Sequence, residues 1–498
     1  MKKFILPLLI IFSFESVLAS KAQTLDDEAV SWLQEYLQID TVNPPGNESR
    51  AVDFYAKIFK KEGIEFNSAE SAPGRGNIWA RLKGRDKPAL ILLQHTDVVP
   101  ANMNFWTRPA FSGEIHEGYI WGRGALDMKG TGISQLAVFL SLHRSGLALN
   151  RDVVFLATAD EEAGGAYGAG WMVDNHPEVF EGAGLLINEG GSGYQANGKI
   201  IFGVEVTQKV PVWLRLTAVD TPGHGSSPRP TSSVTRIVEA LNLVKENPFK
   251  ARIIPEVERI FKSDSKSMDG ELADKFFNIK ESIKLEGFLE ELQQYSASRH
   301  ALTRDTCSMT RMGGSSKINV IPPEAWAEID CRILPDRPAE EFIETFNELV
   351  KDTGVKVEVI MAFTSAISPT DSVLFKAIEA VTSDLYPNSS VVPSVSTGFT
   401  DSHFTRDLGI ASYGFNPLIA KGDEFSGVHG NDEKVNEAAF RRGVLDLKEI
   451  IQKVYDHRAK SKRPATKKLA EVPWLFGEIR HPYKDYILIP RVSSEKRN

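Results

Sequence analysis

The chain has 498 residues, 42% of them apolar and 25% charged, the composition of a soluble globular protein rather than a disordered one. That length exceeds what one hydrophobic core organises and implies two domains. A net charge of -8 leaves no general basic field and excludes nucleic acid as a partner.

The first 22 residues read as a secretory signal. Lys2 and Lys3 precede the apolar run 4–14, and the small residues Ala19, Ser20 and Ala22 follow, placing cleavage near Ala19 or Ala22. The run is shorter than the roughly 20 residues a membrane span needs, and no later segment suits one. The region holds no cysteine, so a lipid anchor is not indicated. The mature protein is therefore expected to be secreted or periplasmic, with no membrane partner after the signal is removed.

Residues 23–209 alternate strands with helices. Apolar runs at 89–93, 152–159 and 185–188 read as strands, and 130–144 carries apolar residues at helical spacing. Continuous apolar strands separated by helices predict a mixed, mostly parallel sheet covered by helices on both faces. In such sheets ligands gather where strand ends meet loops.

Residues 210–361 follow the order strand, helix, strand, strand, helix, strand, a ferredoxin-like α+β unit. A charged helical insert, 250–298, interrupts it. Helix and strand patterns resume over 362–455, so the second unit is inserted into the first. Residues 456–498 are basic, then rich in proline and aromatics, and read as a C-terminal arm on the surface.

Two cysteines, Cys307 and Cys331, exclude a disulfide framework and a cysteine zinc site. They lie in strand-like segments that can pair as antiparallel neighbours, and both a single disulfide and two buried thiols are open. The glycine clusters 164–170 and 190–198 lack the GxGxxG order and read as turns.

The polar residues of interest fall at strand ends. His95 and Asp97 follow the apolar run 89–93 and, two apart on extended chain, point the same way. His95 can bind a metal while Asp97 holds its other ring nitrogen. Asp127 sits in the glycine-dense stretch GRGALDMKG before a helix, either as that helix's N-cap or aimed into a site. The acids Asp160, Glu161 and Glu162 directly follow the buried strand 152–159, where neighbouring carboxylates repel unless cations neutralise them. Glu189 follows 185–188, and His429 lies in the loop GVHG. Carboxylates and imidazoles without thiolates suit a catalytic metal site rather than a structural one.

The chain resembles the dizinc metallohydrolases that include aminoacylase, acetylornithine deacetylase, succinyl-diaminopimelate desuccinylase and glutamate carboxypeptidase. HTD at His95, GRGALDMKG around Asp127, DEE ending at Glu162, NEGG at Glu189, TPGHGSSP around His224 and GVHG at His429 occur in family order across nearly the whole mature chain. The resemblance implies a zinc-peptidase-like catalytic domain carrying a lid and dimerisation domain, and two Zn2+ (or Co2+ or Mn2+) per chain. By it Asp127 bridges the metals, His95 and Glu189 complete one site, and Glu162 and His429 complete the other. Glu161 is then the general base and Asp97 orients His95. His224, in the inserted domain, reaches into the site, in relatives often from the partner subunit of a homodimer, to stabilise the oxyanion, while Asn319 and Arg332 contact substrate. Glu at position 189 is typical of the aminoacylase and deacylase branches and weakens a carboxypeptidase reading.

The expected reaction is hydrolysis of the amide bond of a small N-acyl amino acid or peptide. The rivals are a dizinc phosphoesterase, against which the absence of a Lys/Arg cluster near the motifs speaks, and a catalytically silent binding protein on the same fold.

Overall fold

The computed structural model describes residues 23–196, 198–420 and 427–455. The expected signal segment 1–22 and the expected arm 456–498 lie outside the described residues. Among those described, no helix is long and apolar enough to cross a membrane.

A ten-stranded sheet forms the larger unit. Its centre runs Arg151–Thr158, Lys87–His95, Ala183–Asn188, Ala411–Gly414, all parallel to one another. Antiparallel strands flank it, Gly76–Leu82 on one side and Lys199–Gln208 on the other. The apolar runs are continuous because both faces are covered. Along Lys87–His95, Leu90 and Leu92 join one core, and Ile91 and Leu93 the core on the opposite face. Val153, Phe155 and Ala157 alternate with Val154 and Leu156 in the same way.

Five helices, Leu25–Leu37, Ser49–Glu62, Lys129–Ser145, Val373–Leu385 and Glu437–Tyr455, pack on the first face. Glu437–Tyr455 shows why: Phe440, Val444, Leu447, Ile451 and Val454 recur at three- and four-residue spacing and are all buried. Ala169–Asn175 and Ser402–Asp407 cover the second face.

The second unit is a four-stranded antiparallel sheet in the order Thr306–Gly313, Glu324–Ile333, Val210–Val219, Lys356–Ala362. In chain order that is 2-3-1-4, the ferredoxin-like arrangement. Val210, Val212, Leu214, Leu216 and Ala218 alternate inward against helices Ser233–Glu246 and Ala339–Val350. Cys307 and Cys331 sit directly opposite each other in this sheet and form a disulfide.

The helical segment runs from Pro255–Ser265 to Ala297–Ala301, ending just past the expected limit at 298. It has its own apolar cluster, including Val257, Phe261, Phe276 and Leu292, and seats this cluster on Val395 of the large sheet.

Candidate metal centre

The parallel strands deliver their acids to one end of the sheet. His95 closes Lys87–His95, Glu161 and Glu162 follow Arg151–Thr158, and Glu189 follows Ala183–Asn188. Asp127 comes from the loop before the helix Lys129–Ser145, and His429 from a loop where its φ is 57°.

Asp127 stands between two imidazoles. Its Oδ1 lies 3.1 Å from His95 Nε2 and its Oδ2 3.1 Å from His429 Nε2. Glu189 Oε2 is 3.5 Å from His95 Nε2, and Glu162 Oε2 is 3.0 Å from His429 Nε2. Two triplets result, His95–Asp127–Glu189 and Asp127–Glu162–His429, each able to offer three ligand atoms within 4.8 Å of one another.

Behind them, His95 Nδ1 meets the main-chain oxygen of Asp97 at 3.0 Å. The Asp97 carboxylate lies beside the same ring nitrogen, its Oδ1 3.4 Å from His95 Nδ1, and accepts the backbone N–H of Glu161 and of Glu162, each at 3.1 Å.

The electrostatics call for positive charge. Burial and then neighbouring Asp127 push Glu189 up to about 8. Burial and Glu189 hold the Glu161 carboxyl well above its ordinary range, and burial raises Glu162. Burial opposes charge on both His95 and Asp127, and contact with each other and with Glu189 or His429 outweighs it. His95 is raised and Asp127 lowered as a result. Hydrogen bonds to Asp127 and Glu162 lift His429 to about 10. Four carboxylates thus converge on two histidines. Of the described residues lining the adjoining cavity of about 470 Å³, Arg332 is the one arginine or lysine. Oxygen and imidazole donors with a deficit of cations fit divalent metal.

Several residues that hold this arrangement carry no sequence motif of their own. Glu433 is fully buried, and its carboxylate accepts the N–H groups of Gly124, Leu126 and Asp127 while pairing with Arg123 at 2.7 Å. It fixes the loop that aims Asp127. Asp401, also buried, accepts from Thr158 Oγ1 at 3.0 Å just behind the acid loop.

The sequence-derived residues separate into two groups. His95, Asp127, Glu162, Glu189 and His429 converge, with Asp97 behind His95 and Glu161 on the cavity wall. Arg332 lines the same cavity from the four-stranded unit, over Phe399 at 5.4 Å and paired with Asp330 at 2.7 Å. His224 and Asn319 do not join them within the chain. His224 belongs to a short exposed ribbon, Gly223–His224 against Val320–Ile321, and Asn319 lies beside it, its carbonyl accepting from Gly225 at 2.9 Å.

Residues 91–453, which contain every one of the converging side chains, match the model of peptidase family M20/M25/M40. The chain belongs to this family. It is a hydrolytic enzyme, and its converging donors form two candidate metal-ligand groups.

The chain is 28% identical over 454 residues to the N-fatty-acyl-amino acid synthase/hydrolase PM20D1 of Xenopus tropicalis, covering 88% of each. It is 26% identical over 438 residues to human aminoacylase-1, covering 86% of this chain and 95% of that one. Among solved M20 structures, the metallo-carboxypeptidase Sso-CP2 from Sulfolobus solfataricus superposes with a TM-score of 0.65 at 21% identity. The match covers 86% of this chain and 99% of the other. A second family model, the MmeI target recognition domain, matches residues 431–498. Of these, the described residues include the helix Glu437–Tyr455, which packs in the core of the M20 fold.

Proposed function

We propose that this M20 enzyme cleaves the amide bond of N-acyl amino acids or small peptides bearing a free carboxylate, with two zinc ions per chain. The observation that carries this reading is Asp127, one carboxylate oxygen beside each histidine. His95, Asp127 and Glu189 would hold one ion, and Asp127, Glu162 and His429 the other. When bound, the pair supplies a water of pKa near 7 and polarises the scissile carbonyl.

Glu161 is not part of either triplet, yet it lines the cavity beside both. Its carboxylate takes the proton of the attacking water and returns it to the leaving nitrogen, a contribution of about 10²–10⁴-fold. Arg332 receives the substrate carboxylate. Its Nη1 is buried and has no hydrogen-bond partner among the described residues, a donor ready for an anion. The relatives named for N-fatty-acyl-amino acids and for aminoacylase favour an N-acyl amino acid over a longer peptide.

His224 is exposed and stands in the four-stranded unit, which acts as lid and dimerisation domain. In a homodimer it enters the partner's site and donates to the oxyanion. The protein is exported; the 1–22 segment has signal character, and the disulfide suits an oxidising compartment.

The test is turnover of a panel of N-acyl amino acids and dipeptides, with metal analysis and chelator. Chelator-sensitive release of free amino acid with about two metals per chain is expected from the two-metal site. Activity indifferent to chelator in a protein without tightly bound metal would overturn the reading.

A further inference from the structure

A buried charge network lies on the far side of Asp97, away from the cavity. Arg75, just before the strand Gly76–Leu82, is 9% exposed and sends its guanidinium into the protein. One Nη pairs with Glu48; the other donates to Asp160 Oδ1 at 2.6 Å and to Asn43 Oδ1 at 3.1 Å. With its carbonyl held there, the Asn43 amide must turn its Nδ2 to the carboxylates. It donates to Asp97 Oδ2 at 2.8 Å and to Asp160 Oδ1 at 3.2 Å. Asp160 Oδ2 accepts the backbone N–H of Tyr167 at 2.9 Å, and the Tyr167 ring packs on the guanidinium at 5.4 Å.

Two of the carboxylates reached from Arg75, Asp97 and Asp160, act on the acid loop. Asp97 carries the N–H groups of Glu161 and Glu162. Asp160 adopts a φ of 71°, a left-handed conformation that an Asp holds only with local support. That turn sets the direction in which Glu161 and Glu162 leave the strand. The space is built for the guanidinium as well. Gly46 has a φ of 86°, and a Cβ there would fall 2.0 Å from Arg75 Nη1. The chain thus folds over Arg75 at a residue with no side chain.

We infer that Arg75 is a positioning residue: through Asp160, and through Asn43 and Asp97, it sets the geometry of the loop presenting Glu161 and Glu162. Glu48, Asp97 and Asp160 are buried carboxylates around this one guanidinium. Buried ion networks are weak sources of stability and are better suited to fixing a conformation. The inference rests on Glu161 and Glu162 having the roles proposed above.

The experiment pairs Arg75→Gln with Glu48→Gln, so that loss of the cation does not strand the Glu48 charge and the fold is retained. In the metal-loaded double variant kcat falls about 10–100-fold, the range typical of residues that orient metal ligands, with KM little changed. In the metal-free protein, amide hydrogen exchange over residues 159–164 accelerates, a readout independent of turnover. Chelator competition shows weaker metal retention. Arg75→Lys recovers part of kcat, since an ammonium reaches Asp160 but lacks the fork that also holds Glu48 and Asn43. Adding Asp160→Asn to the double variant lowers kcat no further, because the two residues act in series.

A folded double variant with normal kcat and unchanged exchange overturns the inference, as does full additivity with Asp160→Asn. Glu161→Gln, measured alongside, separates the two ideas. If it is inactive while the Arg75 variant is normal, the proposed function stands and Arg75 is only structural. If Glu161→Gln is itself fully active, the proposed function fails whatever the Arg75 variant does.

Discussion

Asp97 reaches from the end of one parallel strand to the loop after its neighbour, where its Oδ1 accepts the backbone N–H of Glu161 at 3.1 Å. Its Oδ2 accepts the N–H of Glu162 at 3.1 Å and the Asn43 Nδ2 at 2.8 Å. Each of these three partners is a donor. It follows that Asp97 shapes the acid loop as much as it orients His95.

Asp97→Asn therefore costs more than one charge. Whichever way the amide turns, its NH₂ faces a backbone N–H, and two buried donors are set against each other. Turnover or metal affinity is expected to fall about 10–100-fold. Steady-state kinetics and chelator competition on the variant check this, and a variant normal in both would remove Asp97 from the site's support.

Glu161 and Glu162 are adjacent but differ in what they face. Glu162 Oε2 lies 3.0 Å from His429 Nε2 and belongs to one of the two candidate ligand triplets, whereas Glu161 belongs to neither. Glu161→Gln is expected to keep its metal and lose most activity, about 10²–10⁴-fold if it is the general base. Glu162→Gln is expected to lose metal as well. Equal metal loss in both, measured by elemental analysis after gel filtration, would reverse the assignment.

The converging residues were readable where local pattern marks them. His95, Glu161, Glu162 and Glu189 each follow an apolar run that fills a core strand, so their place at a strand end is visible in the chain itself. Glu433 and Arg75 were not readable in this way. Glu433 sits in a polar stretch, and its role exists only through contact with N–H groups some 300 positions earlier. Arg75 depends likewise on Glu48 and Asp160 from other elements. The same limit applies to topology. Alternation marks strands, but nothing local tells that Ser390–Ser396 pairs with Lys199–Gln208. Cys307 and Cys331 were identifiable as neighbours and not as bridged, because bonding depends on register.

Protons hold the metal-free site together, which fixes the sign of its pH dependence. His429 is raised from 6.5 to about 10 by Asp127 and Glu162, so its contribution to stability is complete below about 6.5 and is lost as pH rises through about 10. Glu189, raised to about 8 by burial and Asp127, adds to the same trend, since it must carry an unfavourable charge above that pH. Metal binding replaces these protons and releases them, so affinity rises over the same interval. The melting temperature of metal-free protein is expected to fall from neutral pH toward pH 10, more steeply than that of metal-loaded protein. Parallel scans of the two forms check it. A metal-free protein that gains stability over this range would contradict the charge arrangement.

His224→Ala is expected to lower turnover far more than metal content. His224 stands on the exposed ribbon of the four-stranded unit, and among the described residues none of the proposed metal ligands is its partner; its Nδ1 meets Ser226 Oγ at 2.8 Å and the Ser226 N–H at 3.2 Å. The contact with Ser226 leaves Nε2 as the atom to donate. An oxyanion donor acts mainly in the transition state, so its loss depresses kcat with little change in KM. The expected drop is about 10²–10³-fold. Near-normal turnover would make His224 a turn residue, and a defect confined to KM would make it a binding contact. Because His224 lies outside the cavity of its own chain, mixing His224→Ala with Glu161→Gln decides where it acts. Each variant alone is impaired, but a mixed dimer pairs an intact Glu161 in one subunit with an intact His224 from the other. Recovery of activity on confirmed subunit exchange is the outcome expected for action across the dimer. No recovery despite exchange would require the ribbon to fold back onto its own chain's site.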